Sequence, residues 1–361
     1  MTGMQTALLD NIRISNGPDS LRTYFHELLH TDREKLLQLL RDGNLRFCSL
    51  YILRQDIASA SLLEELPPLY RKALEITKEL SEHSAGSSVP KASGRALSRA
   101  FFRTPAGIRR GSARRSSGLR LAQIESRMRS ETRQVSPALE WIVKTGWEDD
   151  LGRAAYELLL ERCSGILLKS FRNSSLLAAV AEKIFDRNRQ GKLIHNLVWA
   201  FFEACNPDSL YLIAQRLISA DSKDTALARK LLCFIPGLEE AAGTLAYLRA
   251  MQWISENRPF LCYTGETMQM CSRPVCYAVS LEAKYLCRPV SPDSGRPLYP
   301  LEDWEMNQLV GFSKLTGTEQ QHLASFSCML HQRDIYRWDP WIRQPVDKQA
   351  ETVSEITGGS A

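Results

Sequence analysis

The residues H-E-L-L-H at positions 26–30 form the pattern in this sequence with the clearest capacity for chemistry. If they lie on one helix, His26 and His30 are one turn apart and can bind the same zinc ion. Glu27 then lies beside the metal, where a glutamate acts as the general base of a zinc hydrolase. A zinc-dependent hydrolase is therefore one hypothesis for this chain.

The residues after the motif favour a second interpretation. Thr31 and Glu34 have the T-x-x-E spacing of a capping box, which predicts that a new helix starts directly after His30. Asp32 stands where zinc hydrolases of this type carry an apolar residue. We therefore predict that the motif lies on the exposed polar face of an amphipathic helix, and we expect neither a catalytic residue nor a metal ligand there.

The cysteines also have the side-chain chemistry to bind a metal ion. The sequence contains nine, and the densest group is Cys262, Cys271, Cys276 and Cys287. Structural zinc sites pair cysteines with two to four residues between them, and only Cys271 and Cys276, with four, have such a spacing. We predict reduced, mostly buried thiols and no cofactor. Reduced thiols, together with an N-terminus unlike a secretory signal, indicate a cytoplasmic protein.

Positive charge is concentrated in one stretch of the chain. The net charge of the whole sequence is +5, but residues 91–133 contain twelve basic and two acidic residues. The remainder contains 34 basic and 39 acidic residues. Guanidinium groups at this density favour phosphate-rich or carboxylate-rich partners.

Arginine pairs and aromatic residues lie within this basic stretch. The candidate anion-binding residues are Arg109, Arg110, Arg114 and Arg115. Phe101 and Phe102 are flanked by arginines, so their rings could stack on bases or enter a membrane surface. We predict nucleic acid or an anionic surface as the partner of this stretch, with a solubilising linker as the alternative.

Two serines in the same stretch are candidates for phosphorylation. Ser112 and Ser117 each follow the first arginine of a pair by three positions, a spacing typical of basophilic kinase substrates. A phosphate on each serine would add a charge of about −2 and offset much of the local positive charge.

Helical periodicity dominates the sequence on both sides of the basic stretch. Leu21, Phe25, Leu28 and Leu29 fall on one helical face, and the helix that follows predicts a hairpin. A short basic amphipathic helix is predicted through Leu121, Ile124 and Met128. Residues 275–281, V-C-Y-A-V-S-L, are the best strand candidate.

A repeat of helix pairs follows the basic stretch. Ser136, Asn173 and Asn206 each precede an apolar helix as a capping residue, and these starts are 37 and 33 residues apart. Each interval holds two helices. Three helix pairs at this spacing resemble the HEAT and armadillo class of α-solenoids over roughly 100 residues. The resemblance implies three helical hairpins stacked side by side over residues 136–235, and an irregular helical bundle is the alternative.

These patterns predict an all-α fold whose centre is a HEAT-like repeat domain. The predicted regions are a helical N-terminal subdomain (1–84), a flexible Ser/Gly/Arg-rich basic linker (85–134), the repeat domain (135–257), an irregular helix-containing extension (258–345) and a tail (346–361). No apolar stretch approaches the ~18–20 residues that a transmembrane helix needs.

The sequence also lacks the glycine-rich nucleotide-binding motifs and the nucleophile elbow of hydrolases. We therefore expect a non-enzymatic interaction or scaffold protein. Its helical-repeat surface would bind a protein partner, and its basic stretch would bind an anionic one. The alternatives are the zinc-dependent hydrolase and a nucleic-acid-binding protein that acts through the basic stretch.

Overall fold

The computed structural model describes residues 7–82, 123–148 and 151–358. These residues are mostly helical and their one sheet has two strands, so the chain has the predicted all-α fold. It divides into two compact units, residues 1–176 and residues 177–361. Within the described ranges, none of the helices combines the length and the hydrophobicity that are needed to cross a membrane.

Unit 1 is built from helices, and residues 83–122 separate its fourth helix from its fifth. Its described elements are α1 (Leu8–Thr31), α2 (Arg33–Leu40), α3 (Phe47–Ser59), α4 (Pro68–Glu82), α5 (123–130), α6 (Thr132–Gly146) and α7 (Ala154–Lys169). α1 packs against both α2 and α3, and α6 packs against α4 and α7. The predicted hairpin of the first two helices is therefore present.

The turn between α1 and α2 differs by one residue from the predicted capping box. Asp32 rather than Thr31 caps α2, and its Oδ1 accepts a hydrogen bond from the Lys35 N–H at 3.0 Å. The Thr31 hydroxyl instead donates to the carbonyl oxygen of Glu27 at 2.8 Å. This bond keeps Thr31 inside α1, so the pairing of Thr31 with Glu34 was a wrong prediction.

A buried charged network joins α1 to the start of α3. Asp10 is completely buried, and one of its carboxylate oxygens accepts a hydrogen bond from the Arg46 N–H at 2.9 Å. Its other oxygen accepts from the Ser49 hydroxyl at 2.6 Å and lies 3.7 Å from Arg13 Nη2. Burial raises the pKa of Asp10, although these hydrogen bonds and Arg13 act in the opposite direction. The carboxylate thus satisfies a backbone donor at the N-terminus of α3.

Aromatic rings fill the core of unit 1. Phe47 of α3 stacks on Tyr156 of α7 with 5.8 Å between ring centroids, and Tyr51 lies 4.8 Å from the same tyrosine. α6 and α7 approach each other closely at Gly146, where an added Cβ would lie 2.6 Å from Leu160 Cδ2. The Tyr156 hydroxyl donates to the Gly146 carbonyl oxygen at 2.9 Å. A larger residue at position 146 would push these two helices apart.

Unit 2 begins with helices and continues into a small sheet and a second group of helices. Its elements are α8 (Leu177–Arg189), α9 (His195–Glu203), α10 (Asp208–Ala214), α11 (Ser222–Leu231), α12 (Gly243–Asn257), β1 (Leu261–Tyr263), β2 (Tyr277–Val279), α13 (Leu281–Tyr285), α14 (Asp303–Phe312), α15 (Gly317–Arg333), α16 (Ile335–Ile342) and α17 (Val346–Gly358). Within this unit, α8 packs against α9, α10 and α11.

The predicted helix pairs correspond to α6–α7, α8–α9 and α10–α11, and the two helices of each pair are in contact. Asn206 caps as predicted, because its Oδ1 accepts from the Asp208 N–H at 2.9 Å. Asn173 accepts from the Ser175 N–H at 3.0 Å and so caps a short 3-10 turn that leads into α8.

The predicted start at Ser136 is wrong. α6 begins at Thr132, so Ser136 and Pro137 lie inside the helix. Val135 is 1% exposed, and its N–H donates to the Glu131 carbonyl oxygen at 3.1 Å. The apolar face of α6 therefore extends further towards the N-terminus than the sequence pattern indicated.

The predicted strand is present as β2. It pairs with β1 in antiparallel register, and Cys262 lies opposite Ala278. Tyr277 is completely buried, and its hydroxyl donates to the Phe202 carbonyl oxygen at 3.3 Å. This contact joins the sheet to α9 within unit 2. The short strand β1 was not predicted.

The end of the chain is helical and packed through residue 353. α17 occupies residues 346–358, which we had predicted as part of a tail, and Gln349 and Val353 on it are buried. Gln349 Nε2 donates to the Ile342 carbonyl oxygen at 3.0 Å, and its Oε1 accepts from the Tyr285 hydroxyl at 2.9 Å. The side chain of Gln349 thus connects α17 with α13 and α16.

Candidate interaction surfaces

The H-E-x-x-H residues lie on the exposed face of α1. His26 is 51% exposed, and its Nε2 lies 3.1 Å from Asp56 Oδ1 on α3. Glu27 and His30 are also exposed, and α1 ends one residue after His30. In the described part of the chain, no three His, Cys, Asp or Glu side chains are placed to hold a metal ion. The motif occupies the polar face of an amphipathic helix, as the second interpretation predicted.

Replacing His26 or His30 by alanine is expected to change the unfolding free energy of unit 1 little. The His30 change should cost less than about 0.5 kcal/mol, the usual size for an exposed position. The His26 change also removes an exposed pair with Asp56, which contributes about 0–1 kcal/mol. Denaturant unfolding and zinc analysis of the purified proteins test this. Stoichiometric zinc in the wild type that either substitution removes would restore the hydrolase hypothesis.

The four clustered cysteines do not converge on one point. Cys262 lies on β1, where its thiol donates to the Ala278 carbonyl oxygen at 3.4 Å, and Cys276 is buried next to β2. The Cys271 sulfur lies 3.6 Å from a carboxylate oxygen of Glu266. Cys287 packs against an apolar cluster that contains none of the other three cysteines. All nine cysteines of the chain are free thiols.

A cleft of about 330 Å³ in unit 2 contains positively charged side chains, but its arginines already bond to groups within unit 2. It is lined by Arg229, Lys230, Cys233, Leu238, Glu239, Ser272 and Arg273. Arg229 donates to the carbonyl oxygens of Leu238 and Ala241. Arg273 pairs with Glu239 at 2.7 Å. Internal acceptors therefore offset much of the charge in this cleft.

The centre of the basic stretch lies between α4 and α5. We call residues 83–122 the basic insertion; it contains nine basic and no acidic residues. The residues of the basic insertion lie outside the described ranges, and they include every predicted anion-binding, phosphorylation and aromatic candidate: Arg109, Arg110, Arg114, Arg115, Ser112, Ser117, Phe101 and Phe102. These eight assignments remain predictions.

The two flanks of the basic insertion meet on unit 1. Lys72 Nζ of α4 donates to Glu131 Oε2 at 2.6 Å, and Arg127 of α5 forms an ion pair with Glu79 of α4. The bond from Lys72 lowers the pKa of Glu131, so both groups are charged at neutral pH. The insertion therefore starts and ends at one surface of unit 1, whereas the sequence predicted a linker between domains.

The predicted amphipathic helix is present as α5 from residue 123 onwards, and the predicted position Leu121 lies outside the described residues. Its apolar side chains Ile124 and Met128 are 9% and 3% exposed. The ion pair between Arg127 and Glu79 offsets one positive charge of this helix. Most of the positive charge of residues 91–133 is therefore in the basic insertion, which contains no acidic residue.

An apolar surface on unit 2 is a feature that the sequence analysis missed. Leu245 and Leu248 of α12 are 57% and 56% exposed, and their spacing places them on one helical face. Residues 215–218 pack against α12, and Ile218 among them is 52% exposed. We call Leu245 and Leu248 the apolar patch. Exposed apolar side chains grouped in this way are typical of protein-binding surfaces.

The opposite side of α12 explains this arrangement. Its buried residues include Ala246, Ala250 and Ile254, so two alanines and an isoleucine face the core of unit 2. The sequence indicated this surface by two leucines on the helical face opposite a row of small residues. The leucines are exposed or buried depending on which side of α12 packs, and the neighbouring helices determine that side.

No family model, no curated protein and no solved structure matches the sequence.

Proposed function

We propose that this chain is a non-enzymatic interaction or scaffold protein. Its basic insertion binds a polyanionic partner, and the helical surface of unit 2 binds a protein. The observation that carries the proposal is the insertion itself, with nine basic and no acidic residues between α4 and α5. A nucleic-acid-binding protein is the second candidate, because Phe101 and Phe102 lie among these arginines and every base offers a face for stacking.

The charge distribution supports an anionic partner for the insertion. Outside residues 91–133 the chain is net acidic, with 34 basic and 39 acidic residues. Such a body contributes little attraction to a polyanion. Because Lys72 and Arg127 hold the two flanks together, a partner bound by the insertion would stay beside unit 1.

The helical pairs and the apolar patch support a protein partner. We include a HEAT-like stacking of the pairs α8–α9 and α10–α11 of unit 2 in the proposal, since α-solenoids use such surfaces for binding. Leu245 and Leu248 would supply apolar contacts at that surface. The nine free thiols support a reducing compartment such as the cytoplasm.

Removing the insertion tests the proposal directly. We expect a variant with residues 85–120 replaced by a short Gly/Ser linker to fold normally, because α4 and α5 already contact each other through Glu79 and Arg127. Its affinity for polyanions at low salt should fall at least tenfold, which corresponds to about 1.4 kcal/mol. Fluorescence anisotropy with single-stranded and duplex nucleic acid, and co-sedimentation with anionic vesicles, measure this affinity.

A matched control separates charge from chain length. A second variant keeps residues 85–120 but carries glutamine at each of their arginine and lysine positions. It should lose affinity as the deletion does, while circular dichroism shows unchanged helix content for both variants. Unchanged binding by either variant, or no binding of the wild type to any of the three polyanions at low salt, would contradict the proposal.

A further inference from the structure

One face of α14 is exposed although it carries apolar side chains. Met306 and Val310 are 49% and 58% exposed, and their i, i+4 spacing places them on the same side of the helix. The buried residues of α14, Glu305 and Phe312, lie on the opposite side. Phe312 stacks on Tyr285 with 4.5 Å between ring centroids, which fixes this helix on unit 2. The packing of unit 2 therefore presents Met306 and Val310 outwards.

A charged residue lies at each end of this exposed face. Asp303 is the first residue of α14, and Lys314 follows the last residue by two positions. The Lys314 N–H donates to the Gly311 carbonyl oxygen at 3.1 Å, so the helical turn continues to this residue. At about 100° per residue, four positions fall within an arc of about 80° and span about 16 Å along the helix axis. We call these four residues the α14 stripe: Asp303, Met306, Val310 and Lys314.

The part of unit 2 that the structure describes does not use the two charges of the α14 stripe. Arg288 pairs with Glu302 at 3.8 Å and with Glu305 at 2.7 Å, so these other carboxylates near the start of α14 are occupied. Asp303 and Lys314 are exposed, and among the described residues neither side chain has an ion-pair or hydrogen-bond partner. An anion at one end of the stripe and a cation at the other are thus available to a partner.

We propose that α14 pairs in antiparallel orientation with α14 of a second copy of this chain and so forms a dimer with two-fold symmetry. The order acidic, apolar, apolar, basic along the α14 stripe carries this assignment, because it is complementary to its own reverse. An antiparallel pair places Asp303 of each copy near Lys314 of the other, and Met306 against Val310. A parallel pair would bring like charges together instead. The dimer does not depend on the proposed function.

The size of the α14 stripe indicates a weak dimer. Stable protein interfaces bury about 1,200–2,000 Å² in total, and a contact made by one short helix from each copy is smaller. Two exposed ion pairs at its ends contribute only about 0–1 kcal/mol each, so the apolar side chains at its centre supply much of the attraction. We therefore expect a dissociation constant on the order of 100 µM.

Sedimentation velocity of the full chain, with a reducing agent and without nucleic acid, measures the association. Between about 5 and about 500 µM, the average mass should rise from the 40.9 kDa of one chain towards twice that value. Val310→Asp should weaken the dimer at least tenfold, because it places a charge at the centre of the contact. Leu248→Asp is the matched control; Leu248 is 56% exposed on α12, and this variant should associate as the wild type does.

Charge reversal tests the antiparallel orientation. Asp303→Lys alone and Lys314→Asp alone should each weaken the dimer about tenfold, because two like-charge contacts replace two attractive ones. Both reversals in one chain should restore the dimer to within about threefold of the wild type, since each reversed charge then meets its opposite. The double variant carries the same two substitutions and the net charge of the wild type. A loss that came from misfolding or from net charge would therefore not be restored in this way.

Three results would each overturn the proposal. A wild type that stays at 40.9 kDa at the highest concentration would show that the dimer does not form. Association of Val310→Asp equal to that of the wild type, or a tenfold loss in Leu248→Asp, would place the interface away from α14. A double charge reversal that associates no better than either single variant would rule out antiparallel pairing of this helix.

Discussion

Replacing Arg109, Arg110, Arg114 and Arg115 by alanine is expected to flatten the salt dependence of polyanion binding. If all four contact phosphates, the slope of log affinity against log salt should fall by about 3.6 for duplex nucleic acid and about 2.8 for a single strand. Each guanidinium that neutralises a phosphate releases counterions, and salt opposes that release. Affinity measured between low and physiological salt gives the slope directly.

Two control variants identify the cause of the change. Replacing the same four arginines by lysine keeps the charge, so the slope should stay close to that of the wild type. Removing four exposed arginines from unit 2 lowers the net charge equally and should change the slope by less than one unit. That set is Arg273, Arg296, Arg333 and Arg337. Equal flattening by the unit 2 variant would assign binding to net charge alone.

Local signals in the sequence were sufficient to predict most helices and one strand. Asn206 illustrates this, because a capping side chain bonds to a backbone N–H two residues away and needs no tertiary partner. The strand containing Tyr277 was similarly marked by its residue types. Repeated apolar spacing also predicted the burial of Leu21, Phe25 and Leu28 in the second half of α1.

Features that depend on contacts between residues far apart in the sequence could not be predicted from these local signals. Gln349 looks like a residue of a polar tail, yet its partners Tyr285 and Ile342 bury it, and Tyr285 is far away in sequence. The start of α6 was missed because packing of Val135 outweighed the helix-start signal at Ser136. Tertiary contacts commonly override local propensity in this way.

The candidate interaction surfaces show the same difference between features that local sequence predicts and features that depend on packing. Composition alone marked the basic stretch, whereas the meeting of its flanks through Glu79 and Arg127 required the packing of α5 against α4. The spacing of cysteines drew attention to the group from Cys262 to Cys287. Cys287 instead packs against the apolar cluster that contains Cys328, which forms where α13 and α15 pack together.

Replacing Asp10 by alanine is expected to destabilise unit 1 by about 3–5 kcal/mol, because the charge of Arg13 would stay buried without the carboxylate that offsets it. Arg13 is 8% exposed, and its Nε donates to the Ser49 hydroxyl at 3.0 Å, so it is held in place when the carboxylate is removed. The Arg46 N–H at the start of α3 would also lose its acceptor, which typically costs about 1 kcal/mol.

Hydrogen exchange of the full chain, resolved by peptide, reports this loss for unit 1 alone. Protection of the α3 amides should fall roughly 100-fold or more in Asp10→Ala, while protection in unit 2 stays unchanged. Asp19→Ala is the control, on the other side of the kink at Gly17 in α1; Asp19 is exposed, so the change should stay within about 0.5 kcal/mol. Replacing Asp10 by leucine and Arg13 by methionine together should recover much of the loss, since no buried charge is then left unpaired. Equal protection of α3 in Asp10→Ala and Asp19→Ala would show that the buried network contributes nothing to the stability of unit 1.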